Sequence, residues 1–235
     1  MTATTKTGSG YAALPALMAR MTGDEKHALA ASSTVDVLWV LYDQILDVTP
    51  DRLDDPDRDR FLLSKGHGPV GFYAVLAAKG FIDPDLLTDW AGKESPLGHH
   101  PDRMLVPGTE IGSGSLGHGL PLGVGVALGL RAAGRTTPKV VVLVGDAELD
   151  EGSNQEAIVV AARLGLGQLT VVAIDNASAS HGWPGGIARR FEVEGWASAT
   201  VDGRDHVQLA EAFNTPHPDR PAVVVAVTKP KRAAA

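Results

Sequence analysis

The chain of 235 residues contains no cysteine. Disulfides, thiolate metal sites and cysteine nucleophiles are therefore excluded from this stretch. It has no surplus of positive charge either. The formal net charge is −7, and its Lys and Arg residues are scattered rather than gathered into a stripe. No nucleic acid is expected as a partner. No uninterrupted apolar run is long enough to span a bilayer, and no charged-then-apolar leader opens the chain, so no membrane is expected and the expected location is cytoplasmic. There is no internal repeat. What the chain does have is enough length and apolar content, 44%, for one large α/β domain with a sizeable core. Residues 1–10 are small and polar and read as a loose tail, and residues 230–235 are expected to be loose as well, around a single domain over 11–229.

The organising stretch is 139–182. Lys139 to Val144 is a continuous apolar, β-branched run, the pattern of a strand buried on both faces of a parallel sheet. Gly145 and Asp146 break it. Ser153 and Glu156 have the spacing of a capping box, with Ser153 expected to satisfy free amides. Ile158, Ala161 and Ala162 follow at helical spacing, and Gly165 and Gly167 end that helix. Leu169 to Ile174 is a second buried strand, closed by Asp175 and Asn176. This is a βαβ unit, which places Asp146 and Asn176 at the carboxyl ends of two parallel strands, the edge where open α/β sheets bind ligands. A carboxylate and an amide oxygen are hard donors. With a main-chain carbonyl and two phosphate oxygens they suit Mg²⁺, so a diphosphate held through a divalent metal is the inferred ligand. Either pair, Gly-Asp or Asp-Asn, taken alone is equally ordinary turn chemistry after a strand.

GDAELDEGSNQEA followed by IDNASASHG resembles the thiamine diphosphate motif of the transketolase family. The resemblance implies that Asp146, Asn176 and the main-chain carbonyl of Ser178 hold the metal, Mg²⁺ or another divalent cation such as Ca²⁺ or Mn²⁺. It implies that Asn176 also serves the cofactor and that Ala147 offers its N–H to the diphosphate. The family usually has Gly at the position of Ala147, and an Ala there would be strained if the loop required a positive φ. SKGHG followed by GFYAVLAAKG is similar to a second family segment, in which the histidine, here His67, contacts the diphosphate. A strand–loop–helix with glycines around a histidine can present amides and an imidazole to an anion. PGTEIGSGSLGHGLPLGVG resembles a third, implying that Gly114, Ser115 and Leu116 line the cofactor's rings; His118 stands where the family usually has Gln. The resemblance also gives substrate-facing roles to His27, nine residues before Asp36, and to His100 in LGHHP, with His99 structural. The segment Asp202 to Asp205 has Arg204 where the family has His.

The resemblance covers about Leu14 to Lys229 and corresponds to the first of the family's three domains. The expected fold is therefore a three-layer α/β/α sandwich around a mainly parallel sheet of roughly five or six strands, with Phe61–Leu63, Trp196–Val201 and Pro221–Thr228 as further strands. The family's catalytic glutamate lies on the second domain. The implied partner is a C-terminal transketolase-like chain carrying the pyrimidine-binding domain, in an α2β2 assembly with Glu151 and Glu156 near the interface. The implied activity is transfer of a two-carbon ketol unit from a ketose or ketose phosphate to an acceptor. Two alternatives stand beside it: loading of that unit onto a carrier-bound thiol or lipoyl group, and a non-catalytic scaffold or regulatory subunit. His206 and His217 read as ordinary surface residues.

Overall fold

A computed structural model describes residues 9–22, 33–66, 69–179 and 181–228. Its centre is a parallel sheet of five strands: β1 (Arg60–Leu63), β2 (Val140–Gly145), β3 (Leu169–Asp175), β4 (Ala197–Asp202) and β5 (Ala222–Val227). They lie in the order β1-β2-β3-β5-β4, and every pairing is parallel. The helices are α1 (Leu14–Met18), α2 (Val35–Val40), α3 (Val70–Ala78), α4 (Gly119–Ala132), α5 (Gly152–Arg163), α6 (Gly186–Glu192) and α7 (His206–Asn214).

The alternation of side chains along the strands divides the core in two. Val141, Leu143, Val172 and Ile174 pack with residues of α1, α2, α3 and α7. Val140, Val142, Val144, Val171 and Ala173 pack with α4, α5 and α6. Helices thus cover both faces, which is why β2 is buried along its whole length and reads as an unbroken apolar run. Each such Val, Leu or Ile contributes roughly 1.5–3 kcal/mol relative to an exposed one. β1 and β4 are the two edges, and the side chains of β4 alternate between half-buried and exposed.

Local chemistry explains the boundaries. Gly165 has φ 57°. The N–H of Gly165 meets the carbonyl of Ala162 at 3.0 Å, and that of Leu166 meets Ala161 at 3.2 Å, a Schellman ending for α5. Asp205 caps α7 through the N–H groups of Val207 and Gln208. The capping box expected at α5 is absent: the helix begins at Gly152, its N-cap Glu151 makes no side-chain cap bond, and the Ser153 hydroxyl donates instead to the carbonyl of Gly117 at 2.7 Å. The helix starts before the position that spacing alone favours, just after a short 3-10 turn, Ala147–Asp150. His206 is not an idle surface residue. Its Nε2 lies 2.9 Å from the Asp36 carboxylate, which also accepts the Tyr11 hydroxyl. At the amino end of the chain, the Ser9 N–H donates to the carbonyl of Ala78 at 2.9 Å. Among the described residues no helix is long and apolar enough to cross a membrane.

Candidate functional site

In the register of β2 on β3, Gly145 stands beside Ile174, and the Asp146 N–H continues the ladder to the carbonyl of Ile174 at 3.0 Å. Asp146 and the loop that follows Asp175 are therefore neighbours at the carboxyl edge of the sheet. That loop reverses at Ala177, whose φ is 59°. A left-handed alanine costs about 1 kcal/mol or more, a strain of the kind that concentrates at functional sites. The reversal brings the loop over Asp146, which is 4% exposed. One carboxylate oxygen accepts the N–H groups of Ser178 at 2.7 Å and Ala179 at 3.2 Å. The other accepts the Ala147 N–H at 2.8 Å and the Ser178 hydroxyl. Ala147 is not among the residues with positive φ, so the alanine in the family's glycine position carries no strain here.

The amide oxygen of Asn176 is buried and has no hydrogen-bond partner. An acceptor left in that state costs about 1–3 kcal/mol. Its chemistry matches a small hard cation at the tip of β3, beside the carboxylate at the tip of β2. Among the described residues no three His, Asp or Glu side chains gather. A cation here would rest on one carboxylate, one amide oxygen, a main-chain carbonyl and the ligand's own oxygens, a set that suits Mg²⁺ sharing a phosphate.

Three glycine-bearing loops meet next to it. A Cβ on Gly66 would come within 2.7 Å of the Gly114 nitrogen and 3.0 Å of the Ser113 hydroxyl. A Cβ on Gly114, whose φ is 123°, would come within 2.9 Å of the His100 ring. Backbone, backbone and imidazole are thus stacked, and only glycine permits that approach. Ser115 and Leu116 beside them are exposed, with the Ser115 hydroxyl 3.5 Å from His118 Nε2. His99 points elsewhere and packs edge-on against Trp90, ring centroids 5.3 Å apart. His27 and His67 lie outside the described residues.

Beneath these loops are two buried charges that sequence patterning does not single out. Glu148 is 1% exposed and Lys65 is 9% exposed. Burial raises the Glu148 carboxyl above its ordinary range, opposed by hydrogen bonds from Ser64, Gly117 and Gly145 and by the charge of Lys65. Burial lowers the Lys65 ammonium, opposed by the charges of Asp146 and Glu148. The one signal in the sequence is position: Lys65 lies inside SKGHG, and Glu148 lies inside GDAELDEGSNQEA.

The profile described as "Transketolase, thiamine diphosphate binding domain" matches residues 17–229. The chain belongs to the transketolase family. A relative from Rhodococcoides fascians named "Ferredoxin fas2" is 60% identical over 216 residues, covering 92% of this chain and 71% of that protein. A subunit of the apulose-4-phosphate transketolase of Actinobacillus succinogenes is 35% identical over 209 residues, 86% of this chain and 75% of that one. A solved transketolase from Pichia stipitis superposes with a TM-score of 0.77 at 23% identity, covering 93% of this chain. The chain spans 36% of that solved structure's length and about a third of several other transketolases. This is the family's N-terminal, thiamine diphosphate-binding part, in the three-layer fold expected of it.

Proposed function

We propose that this chain is the diphosphate-binding member of a two-chain transketolase. Bound thiamine diphosphate supplies an electron sink for cleaving the bond beside a ketose carbonyl; the chain itself supplies binding and orientation. The observation that carries this reading is the pairing of the Asp146 carboxylate with the partnerless Asn176 oxygen at neighbouring strand tips. Asp146, Asn176 and the Ser178 carbonyl would hold Mg²⁺. Asp146 would trade N–H donors for the cation, which frees the Ala147 N–H for the diphosphate. His67 and Gly114 to Leu116 would line the cofactor, with His27 and His100 toward the substrate. The partner would carry the pyrimidine-binding domain and complete an α2β2 assembly. Relatives named as subunits of apulose-4-phosphate transketolases support a division of this kind.

The test is calorimetric titration of the chain, purified together with its partner, with thiamine diphosphate, with and without Mg²⁺. Binding that appears with Mg²⁺ and disappears with EDTA is expected; equal binding in both, or none in either, would sink the reading. Activity is then sought with a ketose phosphate donor and the partner present.

One observation favours a second reading, in which the acceptor is an electron carrier rather than an aldehyde: the 60% identical relative is named a ferredoxin. Iron–sulfur clusters are held by cysteine thiolates, and these 235 residues contain none, so the acceptor would be separate from this stretch. Reduction of a viologen dye by the reconstituted pair with a keto substrate would support it, and ketol transfer without dye reduction would remove it.

A further inference from the structure

No motif announces the polar knot around Glu148. Glu148 is buried, 1% exposed. A buried carboxylate is costly unless its oxygens are saturated. One oxygen accepts the Ser64 hydroxyl and the Gly117 N–H at 3.1 Å. The other accepts the Gly145 N–H at 3.3 Å. The Ser64 oxygen in turn accepts the Gly119 N–H at 3.0 Å, and Asn154 clasps the Glu148 carbonyl from α5 at 2.7 Å. A Cβ on Gly119 would fall 2.2 Å from the Ser64 side chain, so this junction has no slack.

What the knot ties matters more than its strength. In the sequence, Ser64 lies three residues before His67. Gly117 follows directly on Gly114 to Leu116. Gly145 precedes Asp146 and Ala147. Ser64 and Gly117 reach Glu148 across 84 and 31 residues of chain, so three segments are referenced to one side chain. Each carries neighbours assigned above to the cofactor or its metal. We propose that Glu148 is a positioning residue that presets the spacing of these three loops for the cofactor. This rests on the thiamine diphosphate reading of the site. Both carboxylate oxygens of Glu148 are engaged by protein donors. The residue acts by fixing main-chain N–H groups and one hydroxyl, and a neutral isostere cannot replace it. In Glu148→Gln, whichever way the amide is turned, an NH₂ group faces a main-chain N–H.

The experiment uses the full chain together with its partner, with thiamine diphosphate and Mg²⁺ as probes. Calorimetric affinity is measured at a temperature where both wild type and variant are fully folded, and melting temperature is measured separately. Removal of an outer-shell partner typically weakens binding 10–100-fold; a loss of roughly that size is expected for Glu148→Gln, with a smaller loss for Ser64→Ala. In ¹⁵N-glycine-labelled protein, the Gly117 and Gly145 amides are expected to shift in Glu148→Gln. A variant with a lowered melting temperature and wild-type affinity would make Glu148 a fold prop only and overturn the proposal. Should Glu148→Gln fail to fold, Ser64→Ala leaves the carboxylate in place and carries the same two outcomes. A wild type without Mg²⁺-dependent binding overturns the cofactor reading and this proposal together, and that result is distinct because it requires no variant.

Discussion

Replacing Asp146 by alanine tests the site and the frame around it at once. Asp146 sits at a strand tip, yet it holds down the loop that crosses it. The carboxylate accepts four protein hydrogens: the N–H groups of Ala147, Ser178 and Ala179 and the Ser178 hydroxyl. Hydrogen bonds to a charged group are each worth about 1.5–3 kcal/mol. Ser178 is exposed, so water replaces its lost acceptor in part. Ala147 and Ala179 are half-buried, and their N–H groups lose more. The net cost is about 2–4 kcal/mol by the same hydrogen-bond scale. At roughly 2–4 °C per kcal/mol for a domain of this size, the melting temperature should fall by about 10 °C. Asp146→Asn should cost nearly as much, since one amide oxygen cannot serve donors on both sides. Thermal unfolding followed by circular dichroism gives the first number, and calorimetric titration with thiamine diphosphate and Mg²⁺ gives the second. The reasoning is refuted if Asp146→Ala melts within a degree of wild type, because the loop over Asp146 would then not depend on the carboxylate. Undiminished Mg²⁺-dependent binding in the variant would remove Asp146 from the metal.

Gly66→Ala drives a methyl to 2.7 Å from the Gly114 nitrogen, a backbone contact that cannot yield cheaply; a destabilisation of about 1–3 kcal/mol is expected, together with weaker cofactor binding, and wild-type melting and affinity would contradict it. Alkaline pH should unfold the protein through its tyrosines. Partial burial together with the hydrogen bond to the Asp36 carboxylate raises Tyr11 to about 12, and burial raises Tyr42 and Tyr73 further; these are all three tyrosines of the chain. Because the unfolded chain releases these protons first, near pH 10, it binds fewer protons than the native state above that pH, and stability falls as pH rises. Tyrosinate absorbance at 295 nm should therefore appear together with loss of the far-ultraviolet signal; a signal preceding unfolding would mean that the hydroxyls are accessible.

Much of the architecture is legible in the chain itself. Val140 to Val144, Leu169 to Ile174 and Ala222 to Val227 are apolar and β-branched because parallel strands are covered on both faces, and that pattern survives in one dimension. The order of the motifs places Asp146 and Asn176 at the same sheet edge, since a βαβ unit leaves little choice of geometry. Local signals mislead where a tertiary partner outcompetes a local one. Ser153 has the spacing of a cap, but its hydroxyl finds the Gly117 carbonyl 36 residues away. His206 reads as a surface histidine, yet Asp36, 170 residues distant, holds it.

Strand positions and chain reversals are written in consecutive residues, because burial periodicity and turn chemistry are local properties. What lies under the loops is not written there. Glu148 is one carboxylate among several in an acidic stretch until β1, β2 and the start of α4 converge on it. Gly66, Gly114 and His100 are unrelated until their backbones and ring stack. A hydrogen-bond partner is chosen by proximity in space, and the register of the folded sheet sets that proximity.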